Sequence, residues 1–528
     1  MRNFESPGRS IVMSTHGMAA TSHPLSSLVA IDVLKRGGNA MDAAIAACAA
    51  QCVVEPGSTG IGGDCFALFA RAGGPVLGFN GSGRAPAAAT AERLASLGVS
   101  AIDRHSPHAV TVPGAIDAWA TLSRDHGSLP LKDLLRPAIA LAREGYAVTP
   151  RVSFDWGRQE DTLRRDPGAA RIFLNDGSAP VAGSVHRQPE LAATLEAIGE
   201  GGRDVFYRGD VAAGIVERLR SLGGLHTLED FAIAKGEYVA PIKQAYRGRE
   251  VYECPPNGQG VVALLILALL ADEPARGDPL SPDRLQIEVE AARLAYAMRD
   301  KLLADPEFAG MRIDEFLSPR IVDALKSRLK HARAKLVGMT ETVEHTDTVY
   351  IAVVDRDRMA VSFINSLFNF FGSGIVAPRS GVLLHNRGQS FSLDPKHPNA
   401  IAPRKRPMHT IIPGMVMREG RVEMPFGVMG GHYQAMGHAH VLSKMFDFGL
   451  DLQEAFDLPR LFPRPGSDAI DAESTFPPGV LDELRRRGFE ISPVPSPLGG
   501  AQAVRVDWRT GVLHGASDPR KDGCALGY

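Results

Sequence analysis

At residue 348 the chain changes character, and that change limits what it can fold into. Upstream the pattern is mainly helical; from Thr348 onward TVYIAVVD, MAVSFIN, IVAP, SGVLLHN, HTIIPGMVMR and VEMPFGVM follow one another as strands, with a glycine-bearing turn at FGSG. Helix returns only at HYQAMGHAHVLSKMF. A helix-rich part feeding a strand-rich part across the polar link GMTETVEHTD predicts an α+β fold, or a layered αββα sandwich. Within TVYIAVVD, Thr348, Tyr350, Ala352 and Val354 share one face and Val349, Ile351 and Val353 the other.

Upstream, residues 24–53 read as two helices. The first stops at Gly37-Gly38, and Asn39 caps the Ala-rich second. The glycine cluster in EPGSTGIGGDCFALFA leads into a hairpin, CFALFA with VLGFNG. Residues 110–150 and 258–305 read as mostly helical, 151–240 as charged helices and loops carrying no legible chemistry, and the stretch after residue 318 as a basic amphipathic surface helix.

With 528 residues, length alone suggests about three domains. The charge is nearly balanced, 58 basic against 60 acidic residues, with no basic block, so neither nucleic acid nor membrane partners are expected. The apolar run 261–271 is too short for a bilayer, and the N-terminus has no apolar leader, which places the protein in the cytoplasm as an expectation. Five cysteines without a C-x-x-C pair support neither a disulfide framework nor a thiolate metal site. His432, His438 and His440 cluster, but a helix face explains them more simply than a metal. The glycines of NGSGRAP and FGSGIV match no nucleotide-binding spacing, so no cofactor is expected.

Thr348 admits two readings. Threonine suits a strand and aspartate the turn before it, which alone would account for HTDT. If the Asp347–Thr348 bond were broken, however, Thr348 would carry a hydroxyl and an α-amine of pKa about 8 on one residue, a nucleophile with its own base. Attack on an amide also needs N–H donors for the oxyanion, and Gly430-Gly431, between a strand and a helix, offers backbone amides.

Taken together, GGNAMDAAIAA, GSTGIGGDCF, VPGAIDAW, HTDTVYIAVVDRD, FGSGIVAPRSGVLLHNR, KRPMHTIIP, VMGGHYQ and GASDPR resemble the γ-glutamyltranspeptidase family of N-terminal-nucleophile hydrolases, in order from about Gly17 to Arg520. The resemblance implies an αββα sandwich and self-cleavage between Asp347 and Thr348. Residues 1–347 would form a large subunit and 348–528 a small one, held together as a heterodimer that could dimerise further. It also implies that Ser366, where the family usually has threonine, bonds the nucleophile, and that Gly430 and Gly431 hold the oxyanion.

Departures from the family pattern bear on substrate. Where transpeptidases clamp the glutamate carboxylate with the arginine of R-E-x-A-P, this chain reads SGRAP, with Ser82 in the arginine's place and Arg84 two residues on. The family's N-N-Q-x-D-D-F is HNRGQSF here, so Arg387 replaces glutamine and Ser390 the amine-binding aspartate. A serine pair corresponds to His409 and Thr410, an asparagine to Phe368, and the loop between Ser392 and Pro407 is short and has no aromatic lid. Arg84, His385, Arg387, His409 and Thr410 are therefore the candidates for binding a small anionic amide without an α-amine. Phe363, Phe368, Phe370 and Phe371 either narrow that pocket or pack in the core. These features resemble the branch that includes oxamate amidohydrolase. The alternatives are γ-glutamyl hydrolysis or transfer, acylase action on a β-lactam side chain, and an uncut scaffold without catalysis.

Overall fold

The computed structural model describes residues 4–5, 8–310, 313–330, 348–464 and 467–528. Asp347 lies outside the described residues. Two seven-stranded antiparallel sheets form its centre. In one, the order is Cys524–Gly527, Met18–Thr21, Val349–Val354, Ala360–Ser366, Asp64–Ala70, Leu77–Gly81 and Glu237–Val239. The other runs Val12–Ser14, Leu513–Ser517, Gly500–Val506, Arg421–Met429, Gly414–Arg418, Arg249–Glu253 and Ile242–Tyr246. Each sheet mixes strands from before and after residue 348, so the two parts of the chain share one sandwich rather than forming the separate domains that length suggested.

The alternation read from Val349–Val354 has a direct structural meaning. Tyr350, Ala352 and Val354 pack between the sheets with Phe66, Leu68, Met415 and Val504. Ile351 and Val353 face helices Pro24–Lys35 and Ala40–Val54 on the outside. On the far side, helices Gly260–Leu270, Pro282–Leu302 and Gln434–Phe448 cover the second sheet through Val416, Phe426 and Val428. Both faces of each sheet are buried, which is why these strands are apolar on both sides. The layering is the expected αββα sandwich.

Local signals set several boundaries. Asn39 caps Ala40–Val54 in a capping box with Asp42. HTIIPGMVMR is a strand only over Gly414–Arg418, because Pro413 cannot donate to a ladder; in the preceding stretch His409 and Thr410 reach Asp64 and Arg387, while Ile411 and Ile412 pack in the core. A hairpin missing from the sequence reading joins Ile242–Tyr246 to Arg249–Glu253 through Arg247 and Gly248, whose φ values of 48° and 74° suit a two-residue primed turn. The basic helix is described over Pro319–Lys330, where it buries Val322 and Leu325. No helix among the described residues is long and apolar enough to cross a membrane.

Candidate active site

Thr348 sits at the mouth of its strand, 1% exposed, and register fixes what it meets. Val349 pairs with Asn365, and Ser366 with Asp64 on the next strand. This brings the Thr348 and Ser366 hydroxyl oxygens to 3.1 Å. The close approach needs glycine at position 63, where a Cβ would stand 2.4 Å from the Ser366 carbonyl oxygen.

Hydrogen bonding determines which hydroxyl donates. The Ser366 oxygen accepts the Phe368 N–H at 2.9 Å and an Arg387 Nη2–H at 3.4 Å. A hydroxyl has two acceptor lone pairs and one proton, so Ser366 is left to donate, and Thr348 Oγ1 receives it. Phe368 holds φ at 78°, unusual for a bulky residue, and its ring lies under the Arg387 guanidinium at 4.1 Å. Arg387 also donates through Nη1 to Thr410 Oγ1 at 2.8 Å. The guanidinium is thus fixed between two hydroxyls and a ring face. Burial pulls its pKa down, to about 9, with the charge of Asp64 opposing, and it remains a cation at neutral pH. Among the described residues, no carboxylate lies within ion-pair distance of it.

Asp64, fully buried, organises the loops behind the cluster. Its Oδ1 accepts the N–H groups of Gly83 and Gly114 at 2.9 and 3.2 Å, and its Oδ2 accepts His409 Nε2–H at 3.0 Å. Burial opposes ionisation, but the His385 and His409 rings together with Arg387 outweigh it and hold the carboxyl down at about 2. Burial and the charge of Arg387 push His409 down to about 3, so this ring is neutral, with Nδ1 accepting the Ile411 N–H. His385, also lowered by burial, bonds the Thr111 carbonyl through Nε2 and accepts the Arg387 N–H through Nδ1.

These contacts correct part of the expected substrate set. His385 and His409 have their ring nitrogens committed to protein and carry no charge for a carboxylate. They shape the loops bearing Arg387 and Thr410 instead. Arg84 bonds Glu307 and the Arg404 carbonyl at 2.9 and 3.0 Å and lines a separate cleft with Lys235 and Asp117. Of the phenylalanines, only Phe368 touches Arg387. Phe363 belongs to the core, Phe371 packs on Trp156 and Phe173, and Phe370 lines a different cleft.

Gly430 and Gly431 form the turn between strand Arg421–Met429 and helix Gln434–Phe448, at φ 119° and 57°. No turn or loop acceptor among the described residues takes their N–H groups. Two glutamines that sequence reasoning did not single out complete the cluster. Gln259 Nε2 donates to the carbonyls of Thr410 and Gly431 at 2.8 and 2.9 Å, tying the two loops together, while its Oε1 accepts from Arg299 at 3.0 Å. Gln434 Nε2 lies 3.4 Å from Thr348 Oγ1. His438 and His440 of the histidine cluster face Glu253 and Glu288 respectively, at 2.6 and 3.8 Å.

A buried threonine oxygen flanked by a second hydroxyl, beside a glycine turn presenting amides, is equipped for nucleophilic attack on a carbonyl. A family model described as Gamma-glutamyltranspeptidase matches residues 26–528. The chain belongs to the γ-glutamyltranspeptidase family. It is 37% identical to a glutathione hydrolase-like YwrD proenzyme of Bacillus subtilis, over 98% of this chain and 99% of that one. It is 36% identical to an oxamate amidohydrolase proenzyme of Klebsiella pneumoniae, again over 98% and 99%. Among solved structures, a cephalosporin acylase from Bacillus halodurans superposes with a TM-score of 0.91 at 38% identity, over 100% of this chain and 99% of that one. The fold is therefore that of the N-terminal-nucleophile hydrolases, and membership makes this chain a hydrolase acting on amides.

Proposed function

We propose that this protein is a self-cleaving threonine amidohydrolase for a small acidic amide, with oxamate, hydrolysed to oxalate and ammonia, as its substrate. Arg387 carries the substrate half of the reading. It is a buried guanidinium held 3.4 Å from the Ser366 oxygen with no described carboxylate beside it. Three of its five N–H donors are left over from Thr410 and Ser366. A substrate carboxylate supplies a direct ion-pair partner in addition to the more distant Asp64, and the next carbon of oxamate is then the amide carbon presented to Thr348. A buried charge without a direct partner is costly, and an anionic substrate lowers that cost on binding.

Maturation begins with attack of Thr348 Oγ on the Asp347 carbonyl. The acyl group shifts from N to O, and water hydrolyses the ester, leaving an Asp347 carboxylate and a free Thr348 amine. In turnover the amine takes the hydroxyl proton as Oγ bonds the amide carbon. The oxyanion rests on the Gly430 and Gly431 N–H groups. Collapse expels ammonia with the proton held by the amine, and water then releases oxalate by the same route. Ser82 and Ser390, standing where the resemblance puts the residues with which transpeptidases hold both ends of a glutamyl group, support this substrate over γ-glutamyl compounds, and an oxamate amidohydrolase is among the relatives.

Intact mass beside a Thr348→Ala variant tests the first half. The wild type is expected as pieces of about 37 and about 19 kDa, the masses of residues 1–347 and 348–528 in proportion to length, with threonine leading the small one, and the variant as one uncut chain. Ammonia release then tests the second, with oxamate turned over and glutamine not; the reverse preference would overturn the assignment of substrate.

A further inference from the structure

Gln434 is fully buried at the first turn of its helix, 86 residues from Thr348 in sequence. Its orientation is not ambiguous. The Ile412 N–H, which can only donate, lies 3.1 Å from Oε1, so Oε1 is the acceptor and the amide NH₂ faces Thr348 Oγ1. The Thr348 oxygen therefore sits between two donors of fixed sense, Ser366 O–H from the neighbouring strand and Gln434 Nε2–H from the opposite sheet's helix.

We propose that Gln434 is a positioning residue for the nucleophile: its amide and the Ser366 hydroxyl together occupy the acceptor side of Thr348 Oγ1. Both lone-pair directions are then taken, so the threonine's own proton points away from Ser366 and Gln434 and neither holds it when the backbone nitrogen takes it up. After cleavage, that nitrogen is the amine base. Two donors also stabilise negative charge on Oγ1, as the proton leaves during attack and again when Oγ1 departs as the leaving group of the acyl-enzyme. No atom is exchanged with Gln434 at any step. The inference deepens the reading of Thr348 as nucleophile and is independent of the substrate's identity.

The structural alternative is that Gln434 serves only to satisfy the Ile412 N–H. Gln434→Glu separates the two roles: it keeps an acceptor for Ile412 and nearly the same shape but loses the donor to Thr348. Gln434→Leu loses both. The rate of precursor self-cleavage, followed by intact mass, and kcat on whichever amide the wild type hydrolyses are the readouts. Gln434→Glu is expected to slow both at pH 8 by about tenfold or more, the rate equivalent of one hydrogen bond to developing charge, with KM changed far less. It is also expected to regain rate relative to wild type as pH falls and the introduced carboxyl takes up a proton, becoming a donor again. Gln434→Leu is expected to be slow at every pH. Wild-type rates for Gln434→Glu at pH 8 would overturn the positioning role while leaving the nucleophile intact. An uncut wild type would instead remove the nucleophile itself, and this inference with it.

Discussion

Arg387 is where chemistry and specificity meet in one side chain. One nitrogen reaches Thr410, another Ser366, and the plane stacks on Phe368; only a planar fork can do all three. Arg387→Ala is expected to lower kcat/KM for oxamate by about 10- to 150-fold, mostly through KM, the equivalent of a charge-assisted hydrogen bond of about 1.5–3 kcal/mol. Arg387→Lys should recover little, since an ammonium cannot span both hydroxyls. Steady-state kinetics on oxamate for both variants check this, and equal KM values for wild type and Arg387→Ala would remove Arg387 from the binding site. Residue-level legibility came through the family resemblance: Thr348 alone reads as a strand residue as well as a nucleophile, Ser366 has a role only by resemblance, and only with the family motifs did they and the Gly430-Gly431 pair stand out as a site. Gln434, Gln259 and Asp64 did not, because an amide or carboxylate gains its role only from partners far away in sequence. His385 and His409 misled for a related reason, since a histidine near an arginine reads as anion-binding until its tautomer and buried partners are known.

At the scale of elements, the site depends on how closely three strands approach one another. The Cβ missing from Gly63 leaves room for the end of strand Ala360–Ser366, and with it the Ser366 hydroxyl. Backbone crowds this position, so no flexible side chain can move aside. Gly63→Ala is therefore expected to displace Ser366 from Thr348 at an overpacking cost of about 1–3 kcal/mol. Self-cleavage should slow far more than the melting temperature falls, and comparing an intact-mass time course with thermal unfolding checks that disproportion. The strands themselves were readable because alternation and β-branching persist when both faces are buried. The hairpin at Ile242–Glu253 was not. Its first strand is the sheet's edge, with Lys243 exposed and ion-paired to Glu250, and its turn is Arg-Gly rather than the more usual Asn-Gly.

Across the whole molecule, burial of histidine sets the response to acid. His23, His186, His226 and His440 are pushed down to about 4, each chiefly by burial, and His409 to about 3. An unfolded chain binds protons on these rings near pH 6.5, whereas the folded one does not until about pH 4. Stability therefore falls as pH drops through that window, by up to about 1.4 kcal/mol per pH unit for each ring. The depressed carboxyl of Asp64 adds a further loss below about pH 4, as pH falls toward 2. His186 isolates the effect: Tyr146, Trp156 and Phe173 surround it, with ring centroids 6.0, 4.9 and 6.4 Å away, and its Nε2 is buried without a hydrogen-bond partner. In that aromatic setting His186→Phe removes the proton site while filling nearly the same space. The variant is expected to melt close to wild type at pH 7.5 and above it at pH 5, with a smaller difference in melting temperature between the two pH values. An unchanged pH dependence would mean that His186 takes up its proton in the folded protein as readily as in the unfolded one.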